Sequence, residues 1–234
     1  IIENNLDKVN WYWLPENPNA IHILEKNFDK IVWWSLSKNP NAIHILEQNM
    51  DKIDFLCLSF NPNAIHIIEK NLDKIYWKEL SCNFNAIHIL EKNLDKVDWK
   101  GLSVNKNAIH LLASNLDKID LMLLSRNKNA IPIFEKNADM IYWKWLSRNE
   151  NAIHILEENF NKIVWFWLSK NPGAIRIIEK NLDKIRLESL SSNPNAIHLL
   201  APLNHTAMQE QMAPLKKELL EYVLHPLRLR HLSD

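Results

Sequence analysis

One pattern of 22 residues, written from Asn61 to Cys82 as NPNAIHIIEKNLDKIYWKELSC, fills most of this chain. Its Asn-Ala-Ile core recurs at Asn19, Asn41, Asn63, Asn85, Asn107, Asn129, Asn151 and Asn195, with Gly173 replacing the Asn once, and no insertion disturbs the register. A strict period of this length marks stacked repeats, in which each unit is too small to hide its own apolar face and must lean on its neighbours. At 234 residues the chain is therefore expected to form one elongated stack rather than one or two globular domains. It opens inside a repeat, because Ile1-Ile2-Glu3-Asn4-Asn5 copies Ile67-Ile68-Glu69-Lys70-Asn71 with one change, and it lacks an initiator Met, so further chain is expected upstream. The organisation read from this is a truncated first repeat over 1–16, repeats over 17–202, and a closing segment over 203–234.

Within the unit, Asn61 before Pro62 is placed to cap a helix whose first residue needs no N–H partner. Ala64, Ile65, Ile68 and Leu72 then recur at helical spacing, while Glu69 and Lys70 stay polar, predicting a first helix of about ten residues, helix A. Asn71 and its copies suit a left-handed helix end, where Asn is tolerated. After an Asp-Lys loop, Asp98 can cap a second, shorter helix, helix B, over Trp99-Lys100-Gly101-Leu102-Ser103, whose aromatic and leucine positions share a face. The side chains expected in the core are Trp11, Leu36, Leu58, Trp77, Leu80, Trp99, Leu102, Leu124, Trp143, Leu146, Trp165 and Leu168. A leucine-rich strand repeat of similar length is set aside, since Ile67 and Ile68 are adjacent and run into Glu-Lys. The fold predicted is all-α: an α-solenoid of about nine helical hairpins. Thr206 with Gln209 and the stripe Leu215, Leu219, Leu220, Val223 and Leu224 predict a C-terminal capping helix.

Lys plus Arg and Asp plus Glu are each 28, so no global field attracts nucleic acid or anionic lipid. No apolar run reaches the roughly 18–20 residues of a spanning helix, so no membrane partner is expected. The two cysteines, Cys57 and Cys82, stand at non-equivalent places in the repeat and fit reduced thiols in a reducing compartment. With only Gly101 and Gly173 as glycines, neither a phosphate-cradling loop nor a nucleophile elbow can be built from the usual motifs. No enzyme activity and no cofactor are expected.

The recurring His22, His44, His66, His88, His110, His154 and His198 suggest metal ligands at first sight. Imidazoles one repeat apart would lie about 8–10 Å from each other, too far to share a zinc bound at about 2.0–2.1 Å. They are read as inter-repeat contacts that hydrogen-bond a neighbouring backbone group or Asn. The periodic asparagines are read as caps and loop anchors. What varies between copies points elsewhere. The two residues after the aromatic, and the residue after the Ser position, follow no packing rule in the sequence. There the exposed-face candidates for binding a protein partner are Trp13, Trp34, Phe60, Met122, Trp145, Phe166 and Trp167. A nucleic-acid-binding helical repeat is the alternative, and it needs a basic concave face that the equal charge totals do not supply.

The unit from Leu36 to Ile53, Leu-Ser-Lys-Asn-Pro-Asn-Ala-Ile-His-Ile-Leu-Glu-Gln-Asn-Met-Asp-Lys-Ile, resembles the short repeats of proteins from nucleocytoplasmic large DNA viruses, the giant viruses. The ending Leu220-Glu221-Tyr222-Val223-Leu224-His225-Pro226-Leu227-Arg228 resembles the tail on viral proteins of that kind. The resemblance implies a viral origin and a repeat scaffold located in the virion or the host cytoplasm. A viral or host protein would be its partner. It carries no catalytic residues to this chain. Pro132, Gly173 and Arg176 depart from the pattern inside otherwise regular units and are read as drift.

Overall fold

A computed structural model of the chain describes residues 5–200. The predicted capping helix within 203–234, and residues 1–4, lie outside the described residues. Among the described residues every regular element is helical and none is a strand. They fall into two compact units, one ending at Tyr142 and the other beginning at Trp143.

The first unit contains α1 (Ile21–Lys26), α2 (Trp33–Ser37), α3 (Ile43–Glu47), α4 (Phe55–Ser59), α5 (Ile65–Glu69) and α6 (Trp77–Cys82). It continues with α7 (Ile87–Glu91), α8 (Trp99–Val104), α9 (Ile109–Ala113), α10 (Leu121–Arg126) and α11 (Ile131–Lys136). The second contains α12 (Trp143–Leu146), α13 (Ile153–Glu158), α14 (Trp165–Leu168), α15 (Ile175–Glu179) and α16 (Leu187–Leu190). Odd-numbered helices are helices A and even-numbered ones helices B. In the first unit the helices B pack in sequence, α4 on α2, α6 on α4, α8 on α6 and α10 on α8. Each unit is thus an α-solenoid of helical hairpins.

The helices are shorter than the sequence predicts. Helix A is an α-helix of 5 or 6 residues, not ten. It is entered through a turn in which the Oδ1 of the leading Asn accepts the N–H two residues on, as Asn61 does from Asn63 at 3.0 Å. The cap expected at this Asn therefore exists, but it closes the entry turn, and the α-helix itself starts at Ile65 after Ala64. At the far end Asn71 Nδ2 donates to the Ile67 carbonyl at 2.8 Å, so the side chain satisfies a carbonyl that a longer helix would have used. The left-handed end predicted for these asparagines is not formed. Their backbone sits at φ −134 in Asn27 and −143 in Asn181, and no described non-glycine residue has positive φ. Asp98 does cap helix B as expected, accepting from Gly101 N at 2.7 Å, and Asp54 and Asp120 do the same in their repeats.

Helices this short have no stability of their own in water. Stacking supplies it. The alanine before helix A, its third and fourth residues (Ile67 and Ile68 in α5), and the helix B leucines Leu36, Leu58, Leu80, Leu102, Leu124, Leu146 and Leu168 make a continuous buried layer within each unit. The tryptophans of helix B are a correction. Trp11, Trp77, Trp99, Trp143 and Trp165 are half-buried at the margin, not enclosed with the leucines. Four of them have the outer face covered by a lysine from the next repeat: Lys30 over Trp11 at 4.8 Å, Lys96 over Trp77 at 5.0 Å, Lys118 over Trp99 at 4.9 Å and Lys184 over Trp165 at 5.2 Å. A lysine stem and an indole together shield the core edge that neither closes alone.

Polar rows run through the apolar stack. Asn61 Nδ2 donates to the Ser37 and Asn39 carbonyls at 3.0 and 2.9 Å, and Asn83, Asn105 and Asn127 repeat the bond pair one unit on each time. Asn171 and Asn193 do so in the second unit. The helix B serines add another row: Ser81 Oγ donates to Trp77 O at 2.7 Å and accepts Asp98 N at 3.0 Å from the next repeat. These groups are wholly or nearly buried, so each must be paired, and each pairing ties one repeat to the next.

Candidate functional site

Position on helix B decides what a varying residue can do. Successive residues turn by about 100°, so the residue after the aromatic and the one four further on point the same way, out from the stack. At α14 these are Phe166 and, in the turn that follows the helix, Lys170; at α12, Lys144 and, in the following turn, Arg148. The second residue after the aromatic points elsewhere. A Cβ placed on Gly101 would lie 3.1 Å from both Cys82 Sγ and Lys78 O, which belong to the preceding helix B. This second place is a seam between neighbouring repeats. Ser35, Cys57, Gly101 and Ser189 are buried in it.

The expectation that packing does not dictate these varying positions therefore holds for one and fails for the other. Of the seven candidates, Phe60, Met122 and Phe166 stand exposed on the outward face, and Trp34 is half-buried there. Trp13, Trp145 and Trp167 occupy the seam. Trp145 and Trp167 are half-buried in it, and Trp13 is 56% exposed because no preceding helix B is present among the described residues to cover it.

Two aromatic clusters result, each within one unit. In the first unit Tyr12, Trp13 and Trp34 meet edge-to-face, with centroids 4.9–5.7 Å apart, and Lys38 Nζ lies 5.0 Å from the Trp34 ring. In the second, Trp167 packs on Trp145 at 4.9 Å and edge-on to Phe166 at 5.1 Å. Lys144, Arg148 and Lys170 ring this floor, their charged ends 5.6–5.7 Å from Trp167, and Lys170 sits 4.6 Å from Phe166. Tyr12 and these cations are absent from the sequence-derived site. Their signal was the four-residue spacing that pairs Lys144 with Arg148 and Phe166 with Lys170 on one helix face.

No family model, no curated protein and no solved structure matches this chain. Geometry decides the role of the remaining candidate groups.

The histidine row is such a group. His44, His66, His88 and His110 each place Nε2 within 2.6–2.9 Å of a Glu Oε1 on the preceding repeat, Glu25, Glu47, Glu69 and Glu91. His198 meets Glu179 likewise at 3.0 Å. The row is an inter-repeat contact as expected, but the partner is a carboxylate and the pair is about half exposed, which makes each rung a weak surface interaction. Pro132 removes the imidazole from its repeat at no cost in backbone bonding, because it falls in the first turn of α11. Among the described residues no three His, Cys, Asp or Glu side chains converge as metal ligands would. No described helix is long and apolar enough to cross a membrane.

Both cysteines are free thiols. Burial pushes Cys57 up to about 11, with the Asp54 carboxylate adding to the rise, and burial and Asp98 raise Cys82. At neutral pH both are protonated, the opposite of what a thiolate nucleophile requires.

Proposed function

We propose that this chain is a non-enzymatic repeat scaffold that binds another protein through the outward face of its helices B. One observation supports this most directly. The core leucines, edge asparagines and helix B serines that recur along the chain are engaged in contacts between repeats, whereas the outward helix B positions carry large apolar groups left in solvent, among them Leu56, Phe60, Met122 and Phe166, with Tyr12 at the equivalent place. Exposed aromatic groups on a rigid framework are costly in water and dominate interfaces where they are covered. In line with the resemblance to giant-virus repeat proteins, the partner is a virion or host protein.

Capture tests this. The chain is used as bait for proteins of purified virions and of infected cells, beside Trp34→Ala and Phe166→Ala. Each substitution is expected to weaken capture by about 2 kcal/mol, roughly thirtyfold, with the helical circular-dichroism signal unchanged. Capture indifferent to both substitutions would move the function off this face.

A further inference from the structure

We infer that the outward face of α12 and α14 is a docking site for an acidic segment of a partner protein, one that carries Asp or Glu beside a large apolar residue. The inference rests on the protein-binding reading above and adds the partner's chemistry. Lys144, Arg148 and Lys170 converge on one aromatic floor, and none of them makes an ion pair among the described residues. The whole chain is neutral, so this excess of positive charge is local. On the outward face of the next helix B the sign reverses: α16 presents Glu188 where α14 presents Phe166. An acidic segment is therefore attracted to α12 and α14 and repelled at α16.

The rings say what lies between the acids. Phe166 is 40% exposed and stands edge-on to Trp167, offering an apolar ledge for a Leu, Ile or Phe side chain. Covering the ledge removes water from the surrounding cations, which strengthens their pairing with carboxylates, and Arg148 can take one in two-pronged fashion. A nucleic acid fits less well. Base stacking needs open ring faces, and here Lys144, Lys170 and Arg148 lie over Trp167 while Trp145 packs against it at an interplanar angle of 38°. The basic run is also short, ending at Glu188.

The experiment pans a displayed library of random peptides on the full chain, then measures a synthetic copy of the enriched peptide. The expected result is enrichment of Asp and Glu flanking an apolar residue, with binding that weakens steeply as NaCl is raised. Combined Lys144→Glu, Arg148→Glu and Lys170→Glu is expected to reduce binding by about a hundredfold, whereas combined Lys78→Glu and Lys100→Glu leaves it unchanged. Should the triple variant lose its helical signal, the salt dependence of the unaltered chain decides the question. Enriched peptides without acidic residues, salt-independent binding, or a single-stranded oligothymidylate that competes for the same cations would each overturn the inference. If Phe166→Ala abolishes capture while the triple variant retains it, protein binding stands and the acidic partner falls. If no enriched peptide depends on Phe166 or Trp34, both readings fall.

Discussion

The Asn-Pro-Asn edge and the outward face of the helices B come from the same 22-residue unit and obey opposite rules. Along the edge the leading asparagine is present in every repeat from Asn39 to Asn193; along the face Tyr12, Trp34, Leu56, Lys78, Lys100, Met122, Lys144, Phe166 and Glu188 hardly repeat at all. The edge asparagine donates twice to the preceding repeat and accepts once from its own, so its shape and polarity are both fixed by bonds it cannot share out. The outward side chain has no such obligations. The second asparagine, two residues on, falls between: Asn107 donates a single bond, to Phe84 O at 2.8 Å, and is exposed. At that place glycine replaces Asn once, and the substitution is more than drift, because a Cβ on Gly173 would lie 2.8 Å from Glu150 O. The loop has closed onto its neighbour where the side chain was given up.

This contrast can be broken most forcefully at the inner asparagine. Asn105→Leu keeps the size but strips the Ser81 carbonyl of its donor and Asn107 N of its acceptor, while Asn83 O retains Ala86 N. With about 1–3 kcal/mol for each buried group left unpaired, the expected loss is about 4 kcal/mol, read as a fall in the urea midpoint at unchanged slope. A loss below about 1 kcal/mol would mean that leucine burial, not the asparagine row, sets repeat identity.

The seam separates the two rules, since it varies like the face yet is packed like the edge. Gly101→Val must displace Cys82 Sγ, Lys78 O and the Asp98 carboxylate, the last only 2.9 Å from where a Cβ would stand. The expected cost is about 2 kcal/mol. Lys100→Val next door, on the outward face, should change the midpoint by no more than about 0.5 kcal/mol. Equal effects at 100 and 101 would erase the distinction between seam and face.

How much of this was legible in the sequence follows from the same contrast. The repeat, the all-helical class, the core leucines and the Asp98 cap were all readable, because each depends on spacing or on neighbours within one repeat. The Asn61 donation to Ser37 and Asn39 was not, since a residue suited to capping its own turn gives no sign that its amide also reaches the repeat before. Helix A was overestimated for a related reason. The apolar spacing runs on to Leu72, but Asn71 diverts the chain by bonding the Ile67 carbonyl itself. At the candidate site, helical spacing separates Phe166 from Leu168 but cannot tell the outward place from the seam, which depends on where the next helix lies. Trp145 and Trp167 were expected on the exposed face on that account, whereas they are half-buried in the seam, and Lys144, Arg148 and Lys170, which vary at neighbouring positions, were left out of the candidate site.

Replacing the outer asparagine is a milder test. Asn107→Ala removes the one exposed bond to Phe84 O, and the expected loss is about 1 kcal/mol in thermal or urea melts. A loss matching that of Asn105→Leu would show that the outer row is as structural as the inner one, and Gly173 would then need compensation elsewhere in its repeat.

The finest test uses two serines on one helix. Ser35 and Ser37 are both fully buried in α2, so burial alone predicts equal consequences for removing either hydroxyl. Their surroundings differ. Ser37 Oγ donates to Trp33 O at 2.8 Å and accepts Asp54 N from the next repeat at 3.1 Å, whereas Ser35 Oγ has no hydrogen-bond partner. Ser37→Ala should therefore orphan the Asp54 N–H and cost about 1–2 kcal/mol. Ser35→Ala deletes a hydroxyl that is desolvated without return, in a seam that elsewhere holds Gly101, and should gain about 0.5 kcal/mol, since the void left by one oxygen offsets part of the benefit. Opposite signs in paired urea melts are the expected outcome. A loss at Ser35 as large as that at Ser37 would mean the seam hydroxyl is bonded in solution, and the seam would then belong with the asparagine edge, held by polar pairing, instead of being a place where only size is selected.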